Sequence, residues 1–375
     1  MKVLIAVISD LATDMRVHKQ ALLLAEMGCD VTVMGRRISD TIPLTLPGIK
    51  TSKIRVPFKK GPAMYLAFNT LLFFRLLPQR FDMYVSCDLD TLVPCFLVSR
   101  LYRKKLVYDA HEYFTGQFGL AEKRLKHNIW KTAEKWILPE LNHMITVSDS
   151  IAELYRSEYG VEPVVVRNLA LSVAHLSRHD RITLGATPDE LLVIFQGSGI
   201  NEGRGAEELV NAMSLVEGVK LLIVGSGDII DHVHRIALEK GDENKIVFLP
   251  RMPWEEMMRY TMCCDAGLSL DADNCTNHRY SLPNKLFDYI SAGIPVISSN
   301  LPEVAAVIKE YNCGMILREV TPSCIAEILA ELRDDRAFLM SLKKNAEEAQ
   351  KELTWEKEKV KEQKFFKDVM DLNGK

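Results

Sequence analysis

The stretch YSLPNKLFDYISAGIPVISS, residues 280–299, places a cation and a carboxylate near the start of an expected helix. Ser281 is a suitable helix N-cap, and Gly293 is a suitable C-terminal stop before a buried strand. The first turn of a helix offers unpaired N–H groups and a partial positive charge, to which Lys285 adds a full charge. With Asp288 one turn further on, the stretch predicts an anion site beside a carboxylate, and a nucleoside diphosphate is one candidate ligand. A helix that only packs against a core is the alternative.

A glycine-rich loop, GSGINEGRGAEE, follows the apolar run LLVIFQG. Gly197, Gly199, Gly203 and Gly205 allow the backbone to approach a ligand closely, and Arg204 supplies one cation. The loop lacks the Gly-Lys-Ser/Thr of a Walker loop and the third glycine of a dinucleotide fingerprint. A guanidinium beside backbone N–H groups suits a diphosphate, whereas a loop that is merely tight is the alternative.

The segment LVYDAHEYF places Asp109, His111 and Glu112 just past an apolar strand. A histidine beside two carboxylates can be oriented and kept partly charged. Such a group suits hydrogen bonding to a sugar or phosphate as well as acid–base chemistry. Polar side chains that only satisfy one another at the surface are the alternative.

The loop after the first strand, SDLATDMRVH, offers four more polar side chains at the same edge, with a helix expected from about residue 14. These side chains are Asp10, Asp14, Arg16 and His18.

Two Asp-x-Asp triplets also follow strands, at residues 88–90 and 271–273. This pattern holds a divalent metal in some nucleotide-sugar enzymes. Two aspartates that flank one residue are common by chance, so we predict no metal site.

Short apolar runs that alternate with helical stretches must position these loops. The runs are 2–9, 29–35, 83–87, 106–110, 143–148 and 164–168, then 191–197, 219–225, 245–250, 264–270, 294–299 and 313–317. Strands that are apolar on both faces and separated by helices predict parallel sheets covered on both sides. Two such series predict two doubly wound domains, and ligands of such sheets bind beyond the carboxyl ends of the strands.

The two series are separated by a polar stretch at 170–190. We therefore expect an N-terminal Rossmann-like domain over 1–170, a second one over 171–353, and a cleft between them. The lysine-rich segment 354–375 predicts an amphipathic helix, anchored by Trp355, Phe365 and Phe366, that crosses back to the N-terminal domain and belongs to it.

The composition fits this organisation. The chain has 375 residues, of which 47% are hydrophobic and 26% charged, so two globular domains are expected. No apolar run reaches 18 residues, and the N-terminus breaks into charge too early for a signal peptide, which predicts a cytoplasmic protein. The 8 cysteines are scattered without a Cys-x-x-Cys pair, which favours reduced thiols and no zinc site.

The net charge of −3 is distributed unevenly. Residues 1–170 carry 23 basic and 17 acidic side chains, and residues 50–131 alone carry 15 basic and 6 acidic ones. Within this part, residues 59–80 have basic side chains on either side of an apolar run too short to span a bilayer. We expect this face to lie on an anionic membrane surface, with a helix buried in the domain as the alternative, and no nucleic-acid partner is expected.

Taken together, these motifs resemble the family-4 glycosyltransferases of the GT-B fold, retaining enzymes that transfer a sugar from a nucleotide diphosphate donor without a metal. The resemblance extends over nearly the whole chain, including YDAHEYF, the glycine-rich loop and SLPNKLFDYISAGIPVISS. It implies that Asp288 holds the ribose hydroxyls of the donor, that Arg204 contacts the diphosphate, and that His111 lies near the transferred sugar.

The chain departs from the family pattern at two positions. Tyr280 stands eight residues before Asp288, where the family has a glutamate that contacts the donor sugar, and Ser198 replaces a phosphate-binding arginine. Lys285 is a candidate to replace that charge. Candidates for the sugar contact are Asn277, His278 and Ser281.

We therefore interpret the sequence as a GT-B retaining glycosyltransferase that acts on a lipid-linked or polysaccharide acceptor of a bacterial envelope, in the cytoplasm or at the inner face of the membrane. It would need no cofactor besides the nucleotide-sugar substrate. A catalytically silent nucleotide-sugar-binding subunit and a nucleotide-sugar epimerase of the same fold are the alternatives. The expected catalytic residues are His111, Arg204, Lys285 and Asp288; the donor-binding residues are Gly197, Gly199, Gly203, Arg204, Tyr280, Ser281, Asn284, Lys285 and Asp288; the acceptor-side residues are Asp14, Arg16, His111 and Glu112.

Overall fold

The computed structural model describes residues 1–9, 11–12, 14–38, 46–120 and 122–371. The chain forms two compact units. The first consists of residues 1–167, 275–277 and the chain from 359 onward, and the second of residues 168–274 and 278–358.

The first unit contains seven strands and the helices that connect them. The strands are β1 (Lys2–Val7), β2 (Asp30–Arg36), β3 (Lys50–Ile54), β4 (Met83–Cys87), β5 (Lys105–Ala110), β6 (Met144–Thr146) and β7 (Val164–Val165). The helices are α1 (Met15–Glu26), α2 (Pro62–Leu76), α3 (Leu89–Tyr102), α4 (Arg124–Ile137) and α5 (Asp149–Tyr159).

The second unit contains a six-stranded sheet. Its strands are β8 (Leu191–Gly197), β9 (Val219–Gly225), β10 (Ile246–Pro250), β11 (Ala266–Ser269), β12 (Val296–Ser298) and β13 (Gly314–Ile316). The remaining helices are α6 (Ala206–Met213), α7 (Ile230–Lys240), α8 (Trp254–Thr261), α9 (Thr276–Tyr280), α10 (Asn284–Ser291), α11 (Pro302–Tyr311), α12 (Pro322–Asp334), α13 (Arg336–Glu352) and α14 (Trp355–Asp371), the last of which lies in the first unit from residue 359 onward.

Both sheets are parallel and doubly wound. The strand order is β3-β2-β1-β4-β5-β6-β7 in the first unit and β10-β9-β8-β11-β12-β13 in the second. The order therefore reverses between β1 and β4 in one sheet and between β8 and β11 in the other. Ligands of such sheets bind beyond the carboxyl ends of the strands at these reversals, so the loops after these four strands are the ones that matter for function.

The predicted strands are confirmed, since every apolar run named from the sequence contains one. The sequence KTSKI of β3 was missed because only Ile54 is buried there, and the strand pairs on one side only, with β2. The predicted helix near residue 14 is α1, whose N-terminus is capped by the Asp14 carboxylate through the Val17 N–H. The terminal helix is confirmed as α14, in which Trp355, Phe365 and Phe366 are buried.

Candidate functional site

The strand-order reversal of the second unit brings two cations onto one carboxylate. Asp271 follows β11 and is buried, and its Oδ1 lies 2.6 Å from Nη1 of Arg204 in the loop after β8. The other carboxylate oxygen lies 3.2 Å from Nζ of Lys285 in α10. Burial opposes ionisation of Asp271, yet Lys285 and Arg204 lower its pKa to about 2, so the carboxylate is charged.

Lys285 is held in a largely dry environment. Its side chain is only 11% exposed, and its ammonium lies 4.9 Å from the centre of the Phe195 ring at the end of β8. Burial lowers the pKa of Lys285, and Asp271 partly restores it. Arg204 is more open, with 31% of its side chain exposed. Arg204 and Lys285 thus present one accessible and one nearly buried cation beside the same carboxylate, Asp271.

The glycine-rich loop is shaped by its last two glycines. Gly203 and Gly205 both have positive φ, and a Cβ at Gly205 would lie 2.3 Å from Cβ of Leu270. The Ala272 N–H donates to the Gly203 carbonyl over 2.9 Å, which ties the loop to the segment after β11. These features place Arg204 beside Asp271.

The first two glycines of the loop have a different environment. A Cβ on Gly197 or Gly199 would meet its nearest atom at 3.7 Å or 3.5 Å, an ordinary contact. Neither residue has positive φ. The protein itself therefore does not require glycine at these two positions.

The expectation that Ser281 caps α10 is wrong. The helix begins at Asn284 with Pro283 as its N-cap residue, and within the described chain no side chain caps it. Ser281 instead donates to the His278 carbonyl over 3.2 Å. The reason is that Pro283 is extended, with φ −67° and ψ 140°, so the helix starts too late for Ser281 to reach its first N–H groups.

The predicted helix end is confirmed, because α10 ends at Ser291 and Gly293 follows with φ +71°. Asn284 accepts a hydrogen bond from Nδ2 of Asn168 over 2.7 Å. Tyr280 ends α9, with the guanidinium carbon of Arg279 5.9 Å from its ring centre.

Asp288 lies on the buried side of α10. Its Oδ1 accepts the indole N–H of Trp254 over 2.9 Å, and its Oδ2 accepts the amide of Gln196 over 3.2 Å. Gln196 in turn accepts the hydroxyl of Thr261 over 2.7 Å. Trp254 and Gln196 could not be named from the sequence, since no motif marks either residue and both lie far from Asp288 in the chain.

The strand-order reversal of the first unit holds a second polar cluster. Asp109 at the end of β5 is fully buried and forms a two-pronged ion pair with Arg16, at 3.1 Å and 2.6 Å. Arg16 also donates to the Val166 carbonyl, and Gln20 donates to Asp109 over 2.9 Å. Burial opposes ionisation of Asp109, but Arg16 and His111 hold its pKa below its usual range.

His111 lies between two carboxylates. Its Nε2 is 3.3 Å from Oδ2 of Asp109, and its Nδ1 is 3.7 Å from Oδ2 of Asp88. Burial alone would lower the pKa of His111, but Asp88 and Asp109 raise it well above its usual value. Both ring nitrogens face a carboxylate, which favours the imidazolium.

The other predicted acceptor-side residues have internal contacts. Asp14 caps α1 and also accepts the hydroxyl of Ser9. Glu112 accepts the side-chain amide of Asn277 over 2.8 Å, and Asn277 accepts the backbone N–H of Tyr113. Of the other residues named in the loop after the first strand, Asp10 lies outside the described residues, and the imidazole of His18 contacts the Leu11 carbonyl.

Possible metal ligands are already engaged by protein groups. In the described ranges Cys87, Asp109 and His111 form a group with the spacing of a three-ligand metal site. The Arg16 guanidinium, however, already neutralises Asp109. The first aspartates of the two Asp-x-Asp triplets are likewise engaged, Asp88 by His111 and Asp271 by two cations.

Two family models match the chain in succession. The model of glycosyltransferase family 4 matches residues 15–169, and that of the glycosyl transferases of group 1 matches residues 178–349.

Two curated relatives are similar to parts of the chain. The chitobiosyldiphosphodolichol beta-mannosyltransferase of Candida albicans is 21% identical over 70% of this chain and 63% of its own length. An uncharacterized glycosyltransferase of Methanocaldococcus jannaschii is 23% identical over 52% of this chain and 49% of its own length. The chain thus spans less than two thirds of each of these relatives.

Solved structures share the fold along the whole chain. Sucrose-phosphate synthase from Thermosynechococcus elongatus superimposes with a TM-score of 0.83 at 14% identity, covering 100% of both chains. The Anabaena protein HepE in complex with UDP-glucose has a TM-score of 0.75 at 15% identity, covering 99% of this chain and 100% of that one. WaaG, a glycosyltransferase of lipopolysaccharide biosynthesis, has a TM-score of 0.73 at 14% identity, covering 100% of both. At these identities the likeness shows the fold alone, and the predicted GT-B architecture of two Rossmann-like domains is confirmed.

Proposed function

Since the chain belongs to the glycosyltransferases that combine a family 4 domain with a group 1 domain, we propose that it is a retaining enzyme that transfers a sugar from a nucleotide diphosphate donor without a metal ion. The observation that carries the proposal is the pair of cations, Arg204 and Lys285, held on Asp271 at the strand-order reversal of the second unit.

The donor diphosphate binds at this pair of cations. Arg204 donates one of its N–H groups to Asp271, Lys285 lies at ion-pair distance from the other carboxylate oxygen, and both have further donors, so a diphosphate can be held by both at once. The first turn of α10, which no side chain caps in the described residues, adds backbone donors beside Lys285. HepE, of the same fold, binds UDP and UDP-glucose, which supports a nucleotide-sugar donor.

The ribose binds at Asp288. This buried carboxylate accepts hydrogen bonds from Trp254 and Gln196, and the hydroxyl groups of a ribose are further donors of the kind it accepts. Gly197, Gly199, Tyr280, Ser281 and Asn284 complete the proposed donor site.

The chemistry is substitution at the anomeric carbon with retention. The bond from that carbon to the diphosphate oxygen breaks, the bond to the acceptor oxygen forms on the same face, and the acceptor proton passes to the departing diphosphate. Arg204 and Lys285 stabilise the charge on the leaving group, a role that a metal ion fills in other enzymes. His111, as an imidazolium, is the group proposed to contact the transferred sugar, the role that the family resemblance implies for it.

The acceptor is a lipid-linked or polysaccharide chain. Two similarities support a lipid-linked one: the Candida relative is named for a dolichol diphosphate substrate, and WaaG acts in lipopolysaccharide biosynthesis. Within the described residues, no helix has the length and apolar character needed to cross a membrane.

An exposed apolar surface on α2 supports the same class of acceptor. One side of α2 is buried through residues such as Phe68 and Leu72, whereas Leu66 and Phe74 on the other side are 72% and 63% exposed. The neighbouring helices α3 and α4 also expose apolar side chains, namely Leu97, Leu101, Leu125, Ile129 and Trp136. With the basic excess of residues 50–131, this surface suits an anionic bilayer at the cytoplasmic face of a membrane.

Vesicle cosedimentation tests the membrane contact. Binding should rise with the anionic lipid content and fall with salt, and Leu66→Ser/Phe74→Ser should reduce it. If vesicle binding changes with neither the anionic lipid content nor the salt concentration, this surface is not a membrane contact.

The function itself is tested in two steps. A thermal-shift panel of nucleoside diphosphates and nucleotide sugars identifies the donor, because a ligand that binds only the folded protein raises its apparent stability. The matching donor should then be hydrolysed slowly alone and transferred with cell-envelope acceptors, and Asp288→Asn should impair its use. A donor that binds tightly and stays intact after long incubation would leave a nucleotide-sugar-binding subunit as the function.

A further inference from the structure

Asp88 has a backbone conformation that aspartate rarely adopts. It follows β4 at the strand-order reversal of the first unit, with φ 59° and ψ 170°. This combination lies in a region that is essentially restricted to glycine, so another residue there strains the backbone.

Two other non-glycine residues of the described chain have positive φ, and both differ from Asp88. Arg103 has ψ 47° and Asn312 has ψ 39°, which is ordinary left-handed geometry at the end of a helix. The positive φ of Asp88 therefore differs from theirs, because it does not terminate a helix at its C-terminal end.

The Asp88 side chain does not cap the helix that follows it. Asp88 occupies the N-cap position of α3, a position that aspartate favours, yet its side chain makes no capping hydrogen bond. Its Oδ1 instead accepts the backbone N–H of His111 over 2.8 Å, and its Oδ2 lies 3.7 Å from Nδ1 of the same residue. Its own N–H donates to the Asp109 carbonyl over 2.9 Å, a bond that a glycine would also make.

We propose that Asp88 is a positioning residue that fixes the imidazolium of His111 for sugar transfer, so that the strained backbone is retained for activity and not for stability. The proposal rests on the proposed function, which assigns His111 to sugar transfer. Asp88 accepts the backbone N–H of His111 over 2.8 Å, which positions this residue, and the Asp88 and Asp109 carboxylates lie 3.7 Å and 3.3 Å from the two ring nitrogens, which favours the charged ring.

The charge of the His111 ring depends on the charged and titratable groups around it. They are Asp88, Asp109 and Cys87 at the ring, Glu112 and Asp90 near Asp88, and Arg16 on Asp109. Burial raises the pKa of Asp88 to about 7. Removing the charge of Asp88 leaves Asp109, already neutralised by Arg16, as the main support of the imidazolium.

The decisive variant is Asp88→Gly, which relieves the strain and removes the carboxylate together. We expect an unchanged or higher Tm, unchanged nucleoside diphosphate binding by the second unit, and a kcat lower by roughly 10- to 100-fold, the loss typical of a misplaced catalytic group. Asn312→Gly is the matched control: it also gives glycine to a positive-φ position and should leave activity unchanged.

Asp88→Asn separates position from charge. The asparagine oxygen can still accept the His111 N–H, so the expected change is a smaller loss of kcat, with the alkaline limb of the pH profile moved to lower pH because His111 loses its proton earlier. NMR titration of His111, assigned with His111→Asn, measures the same shift without any turnover.

Three results would overturn the proposal: a stable Asp88→Gly variant with full activity, a fall in Tm that parallels the loss of activity, or an unchanged His111 titration in Asp88→Asn. Failure of the proposed function looks different. In that case the wild-type protein itself does not turn over any donor, while the Tm and the His111 titration still report on Asp88.

Discussion

The two strand-order reversals carry polar clusters of opposite charge balance. In the second unit, one buried carboxylate, Asp271, is matched by two cations, Arg204 and Lys285. In the first unit, Arg16 pairs with Asp109, whereas Asp88, Asp90 and Glu112 add three further carboxylates near His111, with Arg36 acting on Asp90.

This difference explains why the pKa shifts of Asp271 and Asp88 are opposite, whereas Asp109, which is paired with Arg16, has a lowered pKa like Asp271. Asp271 has its pKa lowered to about 2 because its cations outweigh burial, whereas burial raises the pKa of Asp88 to about 7. A cluster with surplus cations is suited to bind an anion such as a diphosphate. A cluster with surplus carboxylates around a histidine is suited to hydroxyl groups and protons.

A second cluster in the same unit shows that charge pairing alone does not make a site. Asp265 is buried and contacts Lys343 at 2.7 Å and Arg181 at 3.2 Å, the same residue types as at Asp271. It precedes β11, whereas Asp271 follows it. The first lies at the amino end of the strand and the second at the carboxyl end, where ligands bind.

The largest effect is expected from Lys285→Gln. Loss of a nearly dry cation at the leaving group should lower kcat by about 10²- to 10³-fold, as for other groups that stabilise charge in a transition state. The matched control is Lys343→Gln, which also takes one cation from a buried carboxylate of this unit. The two variants should lose comparable stability, measured by urea unfolding, and only Lys285→Gln should lose turnover. Equal turnover in both would place the chemistry elsewhere.

Arg204→Ala should have the next largest effect. Because Arg204 contributes one charge-assisted contact, nucleoside diphosphate binding should weaken by roughly 10- to 100-fold, corresponding to about 1.5–3 kcal/mol. Isothermal calorimetry measures it, with the exposed Arg235→Ala of α7 as the control. Unchanged affinity would contradict the assignment of the cation-rich cluster to the diphosphate.

Glu362→Gln tests the carboxylate-rich cluster of the first unit by its effect on the free energy of unfolding. Glu362 in α14 accepts the amide of Gln20, and burial raises its pKa from 4.5 to about 7. The folded state therefore holds this proton more tightly, and the free energy of unfolding should fall as pH rises from 4.5 to 7.

The glutamine variant is neutral at every pH and should be more stable than the wild type at pH 8 by on the order of 1–3 kcal/mol, with little difference at pH 4. Denaturant unfolding at the two pH values measures this, and Glu356→Gln on the exposed side of α14 is the control. A variant less stable at pH 8 would show that Glu362 is held ionised.

The smallest effect is expected from a metal chelator. If Arg204 and Lys285 supply the charge that stabilises the leaving diphosphate, excess EDTA should leave the transfer rate unchanged. A loss that added Mg²⁺ or Mn²⁺ reverses would assign one Asp-x-Asp triplet to a metal and weaken the contrast between the clusters.

Much of the fold could be predicted because the strands are continuous apolar runs, a pattern that only a sheet covered on both faces requires. The strand β3 could not, since it is a half-exposed edge strand without such a run. The candidate side chains after the strands could also be named, because parallel strands bring their following loops to one edge.

The amino-acid sequence by itself determined the two parallel sheets, the loops at their carboxyl ends, and the residue types that stand there. Only the tertiary structure decided which of these side chains meet. Asp271, one of two equivalent-looking Asp-x-Asp positions, became the shared partner of Arg204 and Lys285, and Asp88 became the strained partner of His111. The physical reason is that a hydrogen bond or ion pair depends on distances of a few ångströms between residues far apart in the chain, and those distances are set by strand order and register, which no local pattern records.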